Sequence, residues 1–187
     1  DVIVIGAGAA GLSSAWRLTS KGLKVCCFEK GDFLKESDII SIPDGGEFQK
    51  YCELSFDPNI RKGIADYPIN CANSPINLAN YNGVGGSTLL FSAQYPRFHK
   101  SDFNTKTLDG VGEDWPIDYE DLREYYDIND KMMGVSGLPG DPYYPDIEKL
   151  LPLPSVQIGK LGNLMAKSFD ELGWHWWPSY SSITSEE

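Results

Sequence analysis

Positive charge is scarce in this 187-residue chain: 16 Lys and Arg stand against 27 Asp and Glu, for a net charge of −11. That balance argues against nucleic-acid binding, which needs basic surface set against phosphate. The acids are scattered through Asp102–Asp130 and the final residues rather than blocked, and so read as an acidic solvent-facing surface. Long apolar runs are missing as well, and none approaches the ~20 residues a membrane-spanning helix needs. The four cysteines show no CxxC or other metal spacing: Cys26 and Cys27 are neighbours in an apolar run, and Cys52 and Cys71 stand alone. Reduced structural thiols are therefore expected, with no disulfide framework and no metal site. Histidine occurs only at positions 99 and 175. There is no internal repeat and no low-complexity tract.

The sequence starts at Asp1, without a Met and directly in an apolar strand-like run, and Ser181–Glu187 ends in polar sequence without an obvious terminal element. The chain reads as a piece of a longer protein. Any leader would lie before Asp1, so the sequence assigns no compartment, and cytoplasm and periplasm both stay open.

Glycine, with 19 residues, is what the chain has in quantity, and two clusters carry the chemistry. Val2–Ile5 is a short β-branched run, as expected of a strand buried on both faces of a parallel sheet. Gly6-Ala7-Gly8-Ala9-Ala10-Gly11 follows, and then Leu12, Ala15, Trp16 and Leu18 repeat at helical spacing up to Gly22, a C-terminal stop. A second apolar run, Leu23–Phe28, closes at Glu29. In this pattern Gly6 permits a tight turn, Gly8 lets backbone approach a pyrophosphate, and Gly11 allows close helix–strand packing. Glu29 lies 18 residues past Gly11, near the ~20 expected for an acid that binds a ribose hydroxyl pair. Strand, glycines, helix and acid together make a dinucleotide fingerprint that the glycines alone would not.

The second cluster is Asn82-Gly83-Val84-Gly85-Gly86-Ser87-Thr88. Two phosphate-cradling loops suggest one long ligand touched at several points, as FAD would be. Ser87 and Thr88 suit an N-cap pair before a short helical turn through Leu89–Phe91. The alternative for this loop is a tight turn capping a helix, with no ligand.

Between the clusters, Gly31–Ser74 is irregular, with turn signals at Pro43–Gly46, Asp57–Asn59 and Tyr67-Pro68. It reads as excursions draped over a cofactor cleft, with a short strand at Ile76–Ala79. Further on, Asp118 as N-cap and Gly134 as stop predict a helix over Tyr119–Met133, burying Leu122, Tyr125, Tyr126 and Met133. Gly137–Pro142 is a surface connector. A helix over Leu161–Leu172, with Leu161, Leu164, Met165, Phe169 and Leu172 on one face, stops at Gly173. Alternation in Trp174–Trp177 predicts a strand that buries aromatics.

With both glycine signatures in place, the chain resembles the glucose–methanol–choline (GMC) oxidoreductases, FAD enzymes that oxidise alcohols. The resemblance is carried by Asp1–Leu18 with Glu29-Lys30-Gly31, by Asn82–Thr88 followed by Pro96-Arg97, and by Gly112–Ile117 with Tyr119–Tyr126. Within the family it looks like the gluconate, fructose and sorbitol dehydrogenase branch. The resemblance implies an α/β, Rossmann-like FAD-binding domain of three-layer β/β/α type, incomplete here, over residues 1–117. The start of a substrate or cap domain would occupy 118–187. It implies that Gly6, Ala7, Gly8, Ala9, Ala10 and Gly11 approach the FAD pyrophosphate and that Glu29 and Lys30 lie at the adenosine ribose. Val84, Gly85, Gly86, Ser87 and Thr88 would follow the pyrophosphate and ribityl chain, with Ser92 and Ala93 near the isoalloxazine ring. Glycines there remove Cβ atoms where a flat ring must touch backbone, and amide donors stabilise an anionic reduced flavin.

The implied reaction is oxidation of a CH–OH group of an alcohol or sugar-type substrate, with hydride passing to flavin N5. The electron acceptor, oxygen or a quinone/cytochrome chain, is left open. The family's catalytic base is a His late in the full protein; neither His99 nor His175 matches it, so no catalytic residue is assigned. Some members bind FAD covalently through a His three positions after the counterpart of Ser87. Leu90 stands there, which implies non-covalent FAD. Amine oxidase-like or hydroxylase-like flavoproteins, and an FAD-binding module without redox activity, stay open. An NAD-linked dehydrogenase would leave the second glycine loop without a role.

Overall fold

β-Branched residues at the start of the chain pair as strands because their side chains suit a pleated surface. In the computed structural model, which describes residues 1–35, 55, 57–63, 66, 69–76, 78–144 and 151–184, β1 (Val2–Ile5) runs parallel to β2 (Val25–Phe28), with Val2 opposite Val25. The α-helix between them, α1 (Ala9–Ser20), makes this a β–α–β unit. Gly22, at φ +84°, takes the left-handed position just past the helix, where glycine carries no Cβ penalty. The fold is a small α/β structure, and by contact it divides into two compact units, Asp1–Phe91 and Ser92–Glu187. The expected turns at Pro43–Gly46 and Tyr67-Pro68, part of the Ile76–Ala79 strand, and Cys52 lie outside the described residues.

In the first unit the strands are not buried on both faces as the sequence suggests. Val4 faces α1, whereas Ile3 and Ile5 are 66% and 88% exposed. Alternation along a strand sends Ile3 and Ile5 to the opposite side. Among the described residues no element covers that side. Cys26 and Cys27, next to each other on β2, are both exposed. A four-residue helix, α2 (Pro58–Arg61), is capped by the Asp57 carboxylate, which accepts from the Asn59 amide at 2.8 Å.

The second unit holds α3 (Thr105–Asp109), α4 (Tyr119–Met133) and α5 (Gly159–Leu172). α4 has the expected bounds. The Asp118 carboxylate accepts from the Glu120 and Asp121 amides, Asp121 accepts in return from the Asp118 amide, and Gly134 ends the helix at φ +61°. Its buried face differs from the expected one. Tyr119 and Asp130 are buried, whereas Tyr125 and Met133 are exposed. The reason is Arg97, only 5% exposed. Its guanidinium donates to Asp130 at 2.6 and 3.0 Å, to Asp127 at 2.8 Å and to the Tyr119 hydroxyl at 3.1 Å, with the Tyr126 ring 5.4 Å away. A buried guanidinium needs carboxylates around it, so the helix turns its acids inward.

α5 ends at Leu172 as expected but starts two residues earlier, at Gly159, and its burial differs: Ala166 is its only buried residue, and Leu161, Leu164 and Leu172 are each more than 60% exposed. Trp174–Trp177 form no strand. Their polar atoms are held by side-chain contacts instead: Trp176 donates to Asp170, Trp177 to the Leu138 carbonyl, and His175 pairs with Asp141. Indole N–H groups need an acceptor, and these satisfy it one by one rather than through a ladder.

Candidate functional site

β1 delivers the chain into a turn at Gly6, whose φ of +96° is open chiefly to glycine. Gly8 then caps α1 with no side-chain cap, and the first turn carries no acid. The Leu12 amide donates to the Gly8 carbonyl at 2.9 Å, so the amides of Ala9, Ala10 and Gly11 come before the helical ladder begins. Gly11 is a packing residue: a Cβ there would lie 1.9 Å from the Gly6 carbonyl oxygen. At Gly8 a Cβ would meet nothing within 4 Å, so the space beside this residue at the helix N-terminus is open.

The second glycine loop is built onto the first. Gly8 and Gly85 form a parallel bridge, and the Gly85 amide donates to the Ala7 carbonyl at 2.7 Å. A Cβ on Gly86 would sit 3.2 Å from Gly8 Cα. Behind them the Val84 amide donates to the Asp32 backbone carbonyl at 3.2 Å, and a Cβ on Gly31 would fall 2.2 Å from the Asn82 carbonyl oxygen. Ser87 and Thr88 do not cap a helix. They lie inside a 3-10 turn, Gly86–Leu90, whose capping position is Gly85 at φ +102°. Thr88 folds back to donate to the Gly85 carbonyl, and Ser87 accepts from the Tyr81 amide.

Glu29 closes the cradle from the end of β2. One carboxylate oxygen accepts from the Ala7 amide at 2.7 Å, the other from the Lys30 and Gly31 amides at 2.8 and 3.0 Å. The Gly31 amide, followed by that of Ala7, holds this carboxyl below the usual range, against a smaller opposing effect of burial. A carboxylate has about four acceptor sites, so the three bonds leave capacity for a hydroxyl. Aligned amides, a helix N-terminus, vacant space at Gly8 and no acid in the first helical turn suit a pyrophosphate. The residues present fit FAD.

Gly6–Gly11, Glu29, Lys30 and Val84–Thr88 thus all lie in the first unit. Ser92 and Ala93 belong to the second, where Ser92 is exposed and Ala93 has φ +59°, a left-handed conformation uncommon for alanine. Its carbonyl accepts from the Ser182 amide, and Gln94 bridges Ser181. Gly31, Asn82 and Gly83 were not among the expected site residues. The signal for Gly31 is its place two residues past the acid.

The family model for FAD dependent oxidoreductases matches residues 1–38, the span of the first signature and its acid. The 2-methyl-1,2-propanediol dehydrogenase of Mycolicibacterium austroafricanum is 40% identical over 98% of this chain and 33% of its own length. The fructose dehydrogenase large subunit of Gluconobacter japonicus is 28% identical over 84% of the chain and 31% of its own length. The gluconate 2-dehydrogenase flavoprotein of Pantoea cypripedii is 24% identical over 99% and 35%. The chain belongs to the GMC oxidoreductases. It spans about a third of the length of these curated relatives.

Among the described residues of this GMC chain no helix is long and apolar enough to cross a membrane, and no cluster of His, Cys, Asp and Glu could hold a metal. Both histidines are engaged in packing. His99 is half-buried against the Tyr144 ring at 4.4 Å, rather than the solvated loop residue its charged neighbours suggest. His175 lies between Tyr143 and Trp177, 3.0 Å from Asp141.

The Glu29 geometry gives a first test. Glu29→Gln keeps the shape but offers one acceptor oxygen in place of two. Charge-assisted hydrogen bonds are worth ~1.5–3 kcal/mol each, so FAD affinity by fluorescence titration should drop by about tenfold or more. The depressed pKa sets the pH sign. The carboxylate's contribution is complete above its ordinary value of 4.5 and is lost only as pH falls below it, a step absent from Glu29→Gln. Equal affinity in the two proteins would reduce Glu29 to a bystander at a strand end.

Proposed function

We infer that this chain forms the FAD-holding part of an enzyme that oxidises a CH–OH group of an alcohol or sugar-type substrate. The observation that carries the reading is the junction of the two glycine loops, Gly8 bridged to Gly85 with the Gly85 amide on the Ala7 carbonyl. Two loops rich in phosphate-binding geometry have no reason to be locked together unless one ligand spans both. The amides of Ala9–Gly11 would hold the pyrophosphate, Glu29 and Lys30 the adenosine ribose, and Val84–Thr88 the pyrophosphate and ribityl chain. Ser92 and Ala93 would border the isoalloxazine ring. The relatives support the activity: each is named for a dehydrogenase of an alcohol, a sugar or a sugar acid.

When bound, FAD supplies the hydride acceptor. The chain's own residues bind and orient it through backbone donors in a glycine-lined cleft. We place the FAD-binding domain, of three-layer β/β/α type, over 1–117 and the start of the substrate domain over 118–187. We assign no catalytic base to His99 or His175. The electron acceptor stays outside this reading.

FAD is held without a covalent bond, since Leu89, Leu90 and Phe91 offer no nucleophile. Acid precipitation of the full-length enzyme should leave yellow flavin in the supernatant; flavin that stays with the pellet would refute this. Anaerobic addition of an alcohol or sugar substrate should bleach the bound flavin. Protein that binds FAD and never bleaches across a substrate panel would be a binding module instead.

A further inference from the structure

The second glycine loop is preceded by a knot of polar side chains that neither the glycine motifs nor Glu29 requires. Arg61, at the end of α2, makes a two-pronged pair with Asp66: Nε to Oδ2 at 2.9 Å and Nη2 to Oδ1 at 2.6 Å. Both side chains are nearly sealed from solvent, at 6% and 5% exposure. The remaining Arg61 nitrogen, Nη1, donates to the carbonyls of Ser55 and Asn80 at 2.6 and 3.0 Å, and the guanidinium lies 4.9 Å from the Tyr81 ring. Asp66 accepts in addition from the Asn82 side-chain amide at 2.9 Å and from the Gly63 backbone amide. Burial raises the Asp66 pKa; the bonds from Arg61, Asn82 and Gly63 outweigh it and keep the carboxyl below its ordinary range.

These bonds converge on Asn80, Tyr81 and Asn82, the residues that lead into Gly83–Gly86. Within the glycine loop's own sequence only the Ser87 hydroxyl, which accepts from the Tyr81 amide at 3.2 Å, reaches back to that approach, and it leaves Asn80 and Asn82 to the Arg61–Asp66 knot. Gly83 is buried with Tyr81 and Asp32 against it, and glycine has the most backbone freedom to lose. Left to itself, a run of three glycines in four residues would sample many conformations, and a ligand would have to order it at a cost in affinity.

The geometry points to Arg61 and Asp66 as positioning residues that hold Asn80–Asn82 and so preorganise the second glycine loop for the cofactor. This rests on the FAD reading above, and it adds to it two residues that touch no part of the cradle's phosphate-facing backbone.

Removing one partner of a buried pair leaves a stranded charge and destabilises the fold, whereas replacing both with apolar residues is often tolerated. The test therefore uses the full-length protein with Arg61→Met/Asp66→Leu together, and separately Asn82→Leu, which removes the loop's side of the contact and leaves the ion pair in place. Apoprotein is titrated with FAD by fluorescence, the bound flavin is read by visible circular dichroism, and apoprotein melting is recorded alongside. The expected result is an FAD Kd at least tenfold higher and an altered flavin dichroism in both variants, with apoprotein melting near that of the parent. A parent-like Kd and flavin spectrum in a folded Asn82→Leu protein would overturn the proposal, whatever the double variant does. Gly8→Ala is the control for the underlying reading. If the parent takes up no FAD, or Gly8→Ala binds as the parent does, the FAD site itself is wrong. If Gly8→Ala loses FAD and Asn82→Leu does not, only the positioning role fails.

Discussion

Gly11→Ala is expected to be among the most damaging single methyl additions in this protein, and Gly8→Ala, three residues away, to leave the fold intact. The added Cβ at Gly11 would lie 1.9 Å from the Gly6 carbonyl oxygen and 3.3 Å from Val4 Cγ1. Backbone on one side and a strand on the other leave no flexible atom to yield, so α1 must move off β1. Overpacking of this kind costs about 1–3 kcal/mol, and a backbone clash belongs at the upper end or beyond. At Gly8, with φ −80° and nothing within 4 Å of the new methyl, alanine fits the free protein. Its effect on the unfolded chain alone adds about 0.4–1 kcal/mol of stability. The methyl nevertheless fills the space before the helix amides, so FAD affinity should fall at least about tenfold, ~1.4 kcal/mol. Melting curves with and without FAD separate the two. A Gly11→Ala protein as stable as the parent would contradict the packing described for this turn.

Arg97→Met is the second large effect. The substitution leaves Asp130, 4% exposed, without its main partner. Breaking a buried pair from one side costs about 3–5 kcal/mol, so denaturant unfolding of the second unit should shift by that amount. Arg97→Met/Asp130→Leu should recover much of it. The pH dependence carries a sign of its own. Burial already pushes the Asp130 carboxyl above its ordinary value, with Arg97 pulling it back. Without Arg97 the folded-state pKa rises further, so the folded protein binds the proton more tightly than the unfolded chain. Stability then falls as pH rises through that window and returns as pH drops. The variant should therefore be less impaired near pH 5 than at neutral pH. A loss that is the same at both would mean Asp130 finds another partner.

Local signals were legible wherever a short stretch dictates its own geometry. β1, α1 and β2 follow from apolar runs and glycines, and α4 ends where Asp118 and Gly134 place its caps, because capping and positive φ are decided within a few residues. Burial was far less legible. The stripe read for α4 placed Tyr125 and Met133 inside, whereas Asp130 is there, because Arg97, 33 residues earlier in the chain, brings a buried charge that only a carboxylate can satisfy. Periodicity counts apolar side chains and has no way to see a distant guanidinium. The aromatic alternation at Trp174–Trp177 misled for a related reason: the Trp176 and Trp177 indoles found their own acceptors, at Asp170 and Leu138, instead of a neighbouring strand, and Trp174 stays exposed.

The sequence by itself determined the signals that point to FAD in this GMC protein: two glycine loops and an acid at the end of the second strand. Those are matters of residue type and spacing, which local backbone geometry turns into a phosphate cradle without outside help. Only the tertiary structure decided that the two loops are joined, through the Gly8–Gly85 bridge, with Gly31 as a glycine whose missing Cβ allows the close approach of Asn82. It also decided that Arg61 and Asp66 hold the approach to the second loop. Those contacts join residues far apart in the chain, and their existence depends on which backbones come within hydrogen-bond reach, a quantity that no window of sequence contains.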